Sequence, residues 1–127
     1  IEAAEEHGVG VAVYSPLQGG ALSDAGVAGA DPHPLSGNRR GGPAQEALRR
    51  QATALSFLRH GNRSLAQAAY SFILMNTGVT TVLGGFSDVA QVEELAAASG
   101  QEPFSPEEMA RLEMVWRSSF GSFSAGA

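Results

Sequence analysis

Cysteine and lysine are both missing from this chain. Without cysteine there are no disulfides, no thiolate metal sites and no cysteine nucleophile. Small secreted scaffolds are usually stapled by disulfides, so the composition points to the cytoplasm. Without lysine, all basic charge rests on Arg39, Arg40, Arg49, Arg50, Arg59, Arg63, Arg111 and Arg117. Six of these eight fall between positions 39 and 63, which reads as a solvated Arg-rich helix and loop. Nucleic-acid binding needs a basic excess and often stacking aromatics. The formal net charge is -5 and aromatics make up only 7%, so that partner is set aside. No apolar run reaches the roughly 18 residues that a membrane helix needs. The start, Ile1-Glu2-Ala3-Ala4-Glu5-Glu6-His7, lacks the basic and apolar regions of a signal peptide. It reads as the last turns of a helix already under way.

What is present describes a globular protein. The 127 residues are 43% apolar and 17% charged, enough for one domain that buries roughly two thirds of its unfolded surface. Residues 1–7 continue a helical pattern that Gly8 stops. Val9 to Tyr14 is short, apolar and β-rich, as in a parallel strand buried on both faces. Pro16 ends it. Residues 21–43 crowd glycine and proline and read as a connector or lid. A helix is predicted from Ala44 to about Arg59, with Leu48, Ala52, Leu55 and Leu58 at helical spacing.

Ser64 and Gln67 form a capping box for the next helix, whose apolar stripe is Leu65, Ala69, Phe72 and Ile73. Gly78 ends it, and Val79 to Leu83 is a second strand. After the turn Gly84-Gly85-Phe86, Ser87 is read as the cap of a helix from Asp88 to Ala98, with Val92, Leu95 and Ala96 facing inwards. Ser105, Pro106 and Glu108 open a last helix to about Trp116. Residues 118–127 are read as a flexible Gly/Ser-rich tail. Alternating strands and helices imply a parallel sheet with right-handed crossovers. Two strands alone make a marginal sheet, so the chain is expected to be a fragment or to need a partner.

Two motifs carry chemistry. Tyr14-Ser15-Pro16-Leu17-Gln18-Gly19-Gly20 takes a strand end into a glycine-rich loop whose backbone N–H groups suit an anion, with the Tyr14 ring available to a flat heterocycle. Gly84-Gly85-Phe86-Ser87 leads a second strand into a helix N-terminus, another anion-favouring arrangement. Gln91 and Glu94 are three apart on one face of that helix, within reach of a ligand lying across the turn. The plainer alternative leaves the first motif as an ordinary turn, Ser87 as a cap, and Gln91 and Glu94 as solvated side chains.

Together, and in this order, the motifs resemble the aldo-keto reductases. Tyr14 to Leu22 looks like that family's seventh strand and following loop. Ser64 to Ala69, Val79 to Ser87 and Gln91 to Glu94 look like its seventh helix, eighth strand and eighth helix. The likeness covers residues 1–117 and implies the C-terminal part of a (β/α)8 TIM barrel, α/β in class. It implies that Tyr14 stacks on a nicotinamide and that Ser15, Pro16, Leu17, Gln18 and Gly20 line the pyrophosphate. It places Gly85 and Ser87 at the adenosine 2′ side, with Gln91 and Glu94 at the adenine. Leu95 stands where the family commonly has Asn. The resemblance implies NADP, but the turn's charged residue is Asp88, an anion that repels a 2′-phosphate. NADP and NAD therefore both stay open.

The family's proton-donating Tyr, with its Lys, Asp and His, lies on earlier strands. This chain has no Lys, Tyr70 sits mid-helix, and His7, His33 and His60 read as surface or loop residues. The expectation is therefore the cofactor-binding part of an NAD(P)H-dependent oxidoreductase acting on a small carbonyl or alcohol. It would be inactive alone and would need the missing barrel segment or an oligomeric partner. The alternatives are a non-catalytic nucleotide-binding or accessory module of the same fold, or an unrelated small α/β or helical domain.

Overall fold

The computed structural model describes residues 1–30 and 43–121. Arg39, Arg40, His33, most of the predicted connector and the end of the tail lie outside the described residues. Helix α1 (Glu2–Glu6) closes at His7. Gly8 then takes the left-handed conformation, with φ 64°, and the Gly8 and Val9 N–H groups donate back to Glu5 and Ala4. Strand β1 is Ala12–Tyr14. The predicted connector is not all loop: Ser23 caps a short helix α2 (Asp24–Val27). Helix α3 (Pro43–Ala54) leads into a 3-10 turn at Ser56–Leu58. Then come α4 (Leu65–Leu74), β2 (Thr81–Leu83), α5 (Val89–Ala96) with a 3-10 turn at Ala97–Gly100, and α6 (Pro106–Arg117). Beyond α6, Ser119–Gly121 forms a 3-10 turn, and the Phe120 ring meets Trp116 edge-on at 5.8 Å.

The two strands are parallel, as expected, with Ala12, Val13 and Tyr14 opposite Thr81, Val82 and Leu83. Thr80 extends the pairing: its Oγ1 accepts from Val11 N–H at 3.0 Å, and its own N–H donates to the Val11 carbonyl at 2.9 Å. Burial on both faces is not found. Tyr14 is 78% and Leu83 55% exposed, whereas Val82 packs towards the helices. The described helices cover only one side of this sheet, so the apolar residues on its other side face outward.

Helix α4 lies between two small cores. On one side Ala66 and Tyr70 meet Leu95 and Ala98, joined by Leu17 and Val82. On the other Ala68 meets Leu58 and Phe104. Among the described residues no large side chain is completely buried. The predicted stripe on α4 is only partly right. Leu65 is buried, but Phe72 is exposed and borders an open apolar groove of about 870 Å³ with Ile73, Leu55, Met109 and Trp116. On α5, Leu95 faces inwards as expected, but Val92 and Ala96 are exposed. The inward face is Gln91, Glu94, Leu95 and Ala98, at helical spacing.

Candidate functional site

Because Tyr14 pairs with Leu83, both glycine-rich segments open at the same end of the sheet, the carboxyl end of parallel strands where α/β proteins place their ligands. The first segment is tightly bent. Ser15 (φ 56°), Gln18 (φ 49°), Gly19 (φ 68°) and Gly20 (φ 91°) all take left-handed conformations. This is ordinary for glycine, but non-glycine residues pay strain there, and such strain concentrates at functional sites. Two turn bonds hold the bend, Gln18 N–H to the Ser15 carbonyl at 3.2 Å and Gly20 N–H to the Leu17 carbonyl at 3.0 Å. Tyr14, Ser15 and Gln18 are exposed, Pro16 and Gly20 are half-buried, and Leu17 turns into the Ala66–Tyr70 core.

A brace that sequence reading missed supports this loop from below. Ser23 Oγ donates to the Gly20 carbonyl at 2.7 Å and accepts from Gly26 N–H at 3.0 Å. Asp24 Oδ1 in turn accepts from Leu65 N–H at 3.1 Å, at the first turn of α4. The signal was a Ser-Asp pair at a helix start, masked by the surrounding glycines and prolines.

The second segment approaches Tyr70. A Cβ on Gly84 would lie 2.1 Å from the Tyr70 hydroxyl, while one on Gly85 would meet nothing within 4 Å. The Tyr70 hydroxyl is buried without a hydrogen-bond partner among the described residues, and burial pushes its pKa up. We expect Gly84→Ala to destabilise the chain by about 1–3 kcal/mol through overpacking. Tyr70→Phe should recover part of that loss, because it removes the hydroxyl. Urea denaturation of both single variants and the double variant checks this; simple additivity would show that the two positions do not clash.

The cap of α5 is Asp88, not Ser87. Asp88 is extended (φ -151°, ψ 170°), and its carboxylate accepts from Gln91 N–H at 2.9 Å. Ser87 instead donates its backbone N–H to Gln91 Oε1 at 2.9 Å. The cap is thus made by the Asp88 carboxylate, which reaches the backbone N–H three residues on. Gln91 Nε2 also donates to Asp88 Oδ2 at 3.2 Å, so this side chain is tied into its own helix start. Glu94 accepts a short hydrogen bond from Ser64 Oγ, across to α4.

The sequence model of the Aldo/keto reductase family matches residues 1–117. The chain belongs to the aldo/keto reductase family. That family is one of oxidoreductases built as (β/α)8 TIM barrels and generally using nicotinamide cofactors; two parallel strands with flanking helices are consistent with part of such a barrel. The reading of an unrelated small domain is thereby set aside. No curated protein matches the chain.

Among the described residues of this aldo/keto reductase chain, the histidines do not converge on the strand ends. Tyr70, on α4, is buried against Leu95, Ala98 and the Gly84 turn. His7 Nδ1 lies 2.8 Å from the Ala3 carbonyl on α1. His60 meets Glu108 at 2.9 Å and Arg63 at 2.7 Å, in a polar cluster beside Phe104. No group of three metal-ligating side chains occurs among the described residues, and no described helix is long and apolar enough to cross a membrane.

Proposed function

We propose that this chain is the nucleotide-holding C-terminal part of an NAD(P)H-dependent aldo-keto oxidoreductase, formed by the seventh and eighth strand–helix units of its barrel. The observation that carries this reading is the register of β1 and β2, which brings Ser15–Gly20 and Gly84–Asp88 side by side. Tyr14 would present its exposed ring to a nicotinamide. The backbone of Ser15–Gly20 would receive the pyrophosphate, and Gly85, Ser87, Gln91 and Glu94 would face the adenosine. The bound nucleotide would supply a hydride, and the chain's own residues would bind, orient and shield it. The outward-facing Tyr14 and Leu83 and the sheet edges left unpaired among the described residues support docking against further barrel strands. Acting on a small carbonyl or alcohol then needs groups this sequence lacks, lysine above all. By itself the chain binds without turnover, in a cytoplasmic setting.

Titration of the purified chain with NADH and NADPH, followed through fluorescence of the reduced nicotinamide, tests the reading. Both nucleotides should bind, with no oxidation when an aldehyde is added; absorbance loss above the blank would contradict the second part. Asp88 adds a sharper expectation. Asn caps a helix about as well as Asp, so Asp88→Asn should keep α5 while removing the charge. Two unit charges 4 Å apart in water repel by about 1 kcal/mol. The variant should therefore gain roughly fivefold for NADPH and little for NADH. Equal gains would mean that this turn does not face the 2′ position.

A further inference from the structure

We propose that Ser64 is a positioning residue for Glu94, and that this contact sets the preference of the site for an amino-bearing purine. The inference rests on the reading that Glu94 faces the base of the nucleotide. A helix cap needs only an acceptor, and Ser64 provides one: its Oγ accepts from Gln67 N–H at 3.1 Å. A serine hydroxyl also has one proton to donate, and here that proton goes across to α5, to Glu94 Oε1. Gln67, 6% exposed, completes the arrangement. Its Oε1 accepts from Ser64 N–H at 3.0 Å and its Nε2 donates to the Glu94 carbonyl at 2.8 Å. Both the main chain and the side chain of Glu94 are thus held by a single capping box.

Gln91, by contrast, is held within its own helix start. The other carboxylate oxygen of Glu94 has no partner among the described residues. An ionised carboxylate only accepts. Held in place by Ser64, that oxygen suits an exocyclic amino group, as on adenine, and disfavours a ring carbonyl, as on hypoxanthine.

The experiment compares the affinities of the chain for NADH and for its hypoxanthine analogue, reduced nicotinamide hypoxanthine dinucleotide. The wild-type chain should prefer the adenine form by about tenfold. Ser64→Asp keeps a cap acceptor but loses the donor and repels Glu94, so the preference should fall to near unity. Ser64→Gly, a mild change at a cap, should do the same and serves where the Asp variant fails to fold. Ser64→Thr keeps both roles and should restore the preference. Ser105→Gly, at the cap of α6, should leave the ratio unmoved. An unchanged ratio in a folded Ser64 variant, or equal weakening of both nucleotides, would overturn the positioning role while leaving nucleotide binding intact. Failure of the wild-type chain to bind either dinucleotide would instead overturn the proposed function, and this inference with it.

Discussion

Replacing Arg63 by Ala should cost the chain about 3–5 kcal/mol, the usual penalty for removing one partner of a buried ion pair. The Arg63 side chain is only 4% exposed. Its Nε donates to the Leu58 carbonyl at 2.9 Å, its Nη2 donates to the Glu108 carboxylate, and its guanidinium lies 4.6 Å above the Phe104 ring. It therefore joins the Ser56–Leu58 turn, the entry to α4 and the start of α6. Glu108, with its side chain 14% exposed, would be left with only His60 and the Ser105 N–H. Native domains are stable by about 5–15 kcal/mol, so the variant should be close to unfolding. Arg63→Lys should fall between, since an ammonium lacks the planar fork. Urea midpoints measure this, and a loss below about 1 kcal/mol would show that the cluster is solvated decoration.

The same cluster makes a pH prediction with a definite sign. Burial acts to raise the Glu108 pKa, but hydrogen bonds from Ser105 and His60, with the charge and hydrogen bond of Arg63, outweigh it and hold the group below 4.5. A depressed folded-state pKa stabilises above the unfolded value and is lost as pH falls through the folded one. Wild-type stability should therefore decline on acidification below about pH 4.5, and less so in Arg63→Ala.

Gly26→Ala is the second large effect. A Cβ there would lie 2.2 Å from the Gly20 carbonyl oxygen and 2.9 Å from that of Ala21. Both obstacles are backbone, in a loop already bent through left-handed residues. Overpacking of this kind costs about 1–3 kcal/mol, occasionally more. The loss should appear as faster amide exchange at Gly20 and Leu22 and as weaker nucleotide binding. Gly78→Ala is the control. There a Cβ would meet Ile1 Cγ2 at 2.3 Å, a methyl on a side chain that is 53% exposed and has room to shift, so the cost should be smaller. Equal losses would mean that α2 does not brace the loop.

Features decided by a few neighbouring residues were legible in advance. The capping boxes at Ser64–Gln67 and Ser105–Glu108, the left-handed stop at Gly8 and both strands follow from local hydrogen bonding and β-propensity. What depends on distant partners was not. Val92 and Ala96 suggested the inner face of α5, yet Glu94 lies inwards, towards a hydrogen-bond partner, Ser64, that stands 30 residues away. Arg63 read as part of a solvated run because its partner Glu108 lies 45 residues away. Double burial of the strands presumes a second layer, and the described helices supply one only. The two site motifs were visible as separate segments; only the register of β1 on β2 makes them neighbours.

The most direct test of the account is an NMR titration of the isotopically labelled chain with NADPH. The backbone amides of Tyr14, Ser15, Leu17 to Gly20 and Gly84 to Gln91 should shift together along one binding curve, while those of His60, Arg63 and Glu108 stay in place. Shifts confined to the apolar groove beside Phe72 and Trp116, or no shifts at millimolar nucleotide, would contradict a nucleotide site at the strand ends.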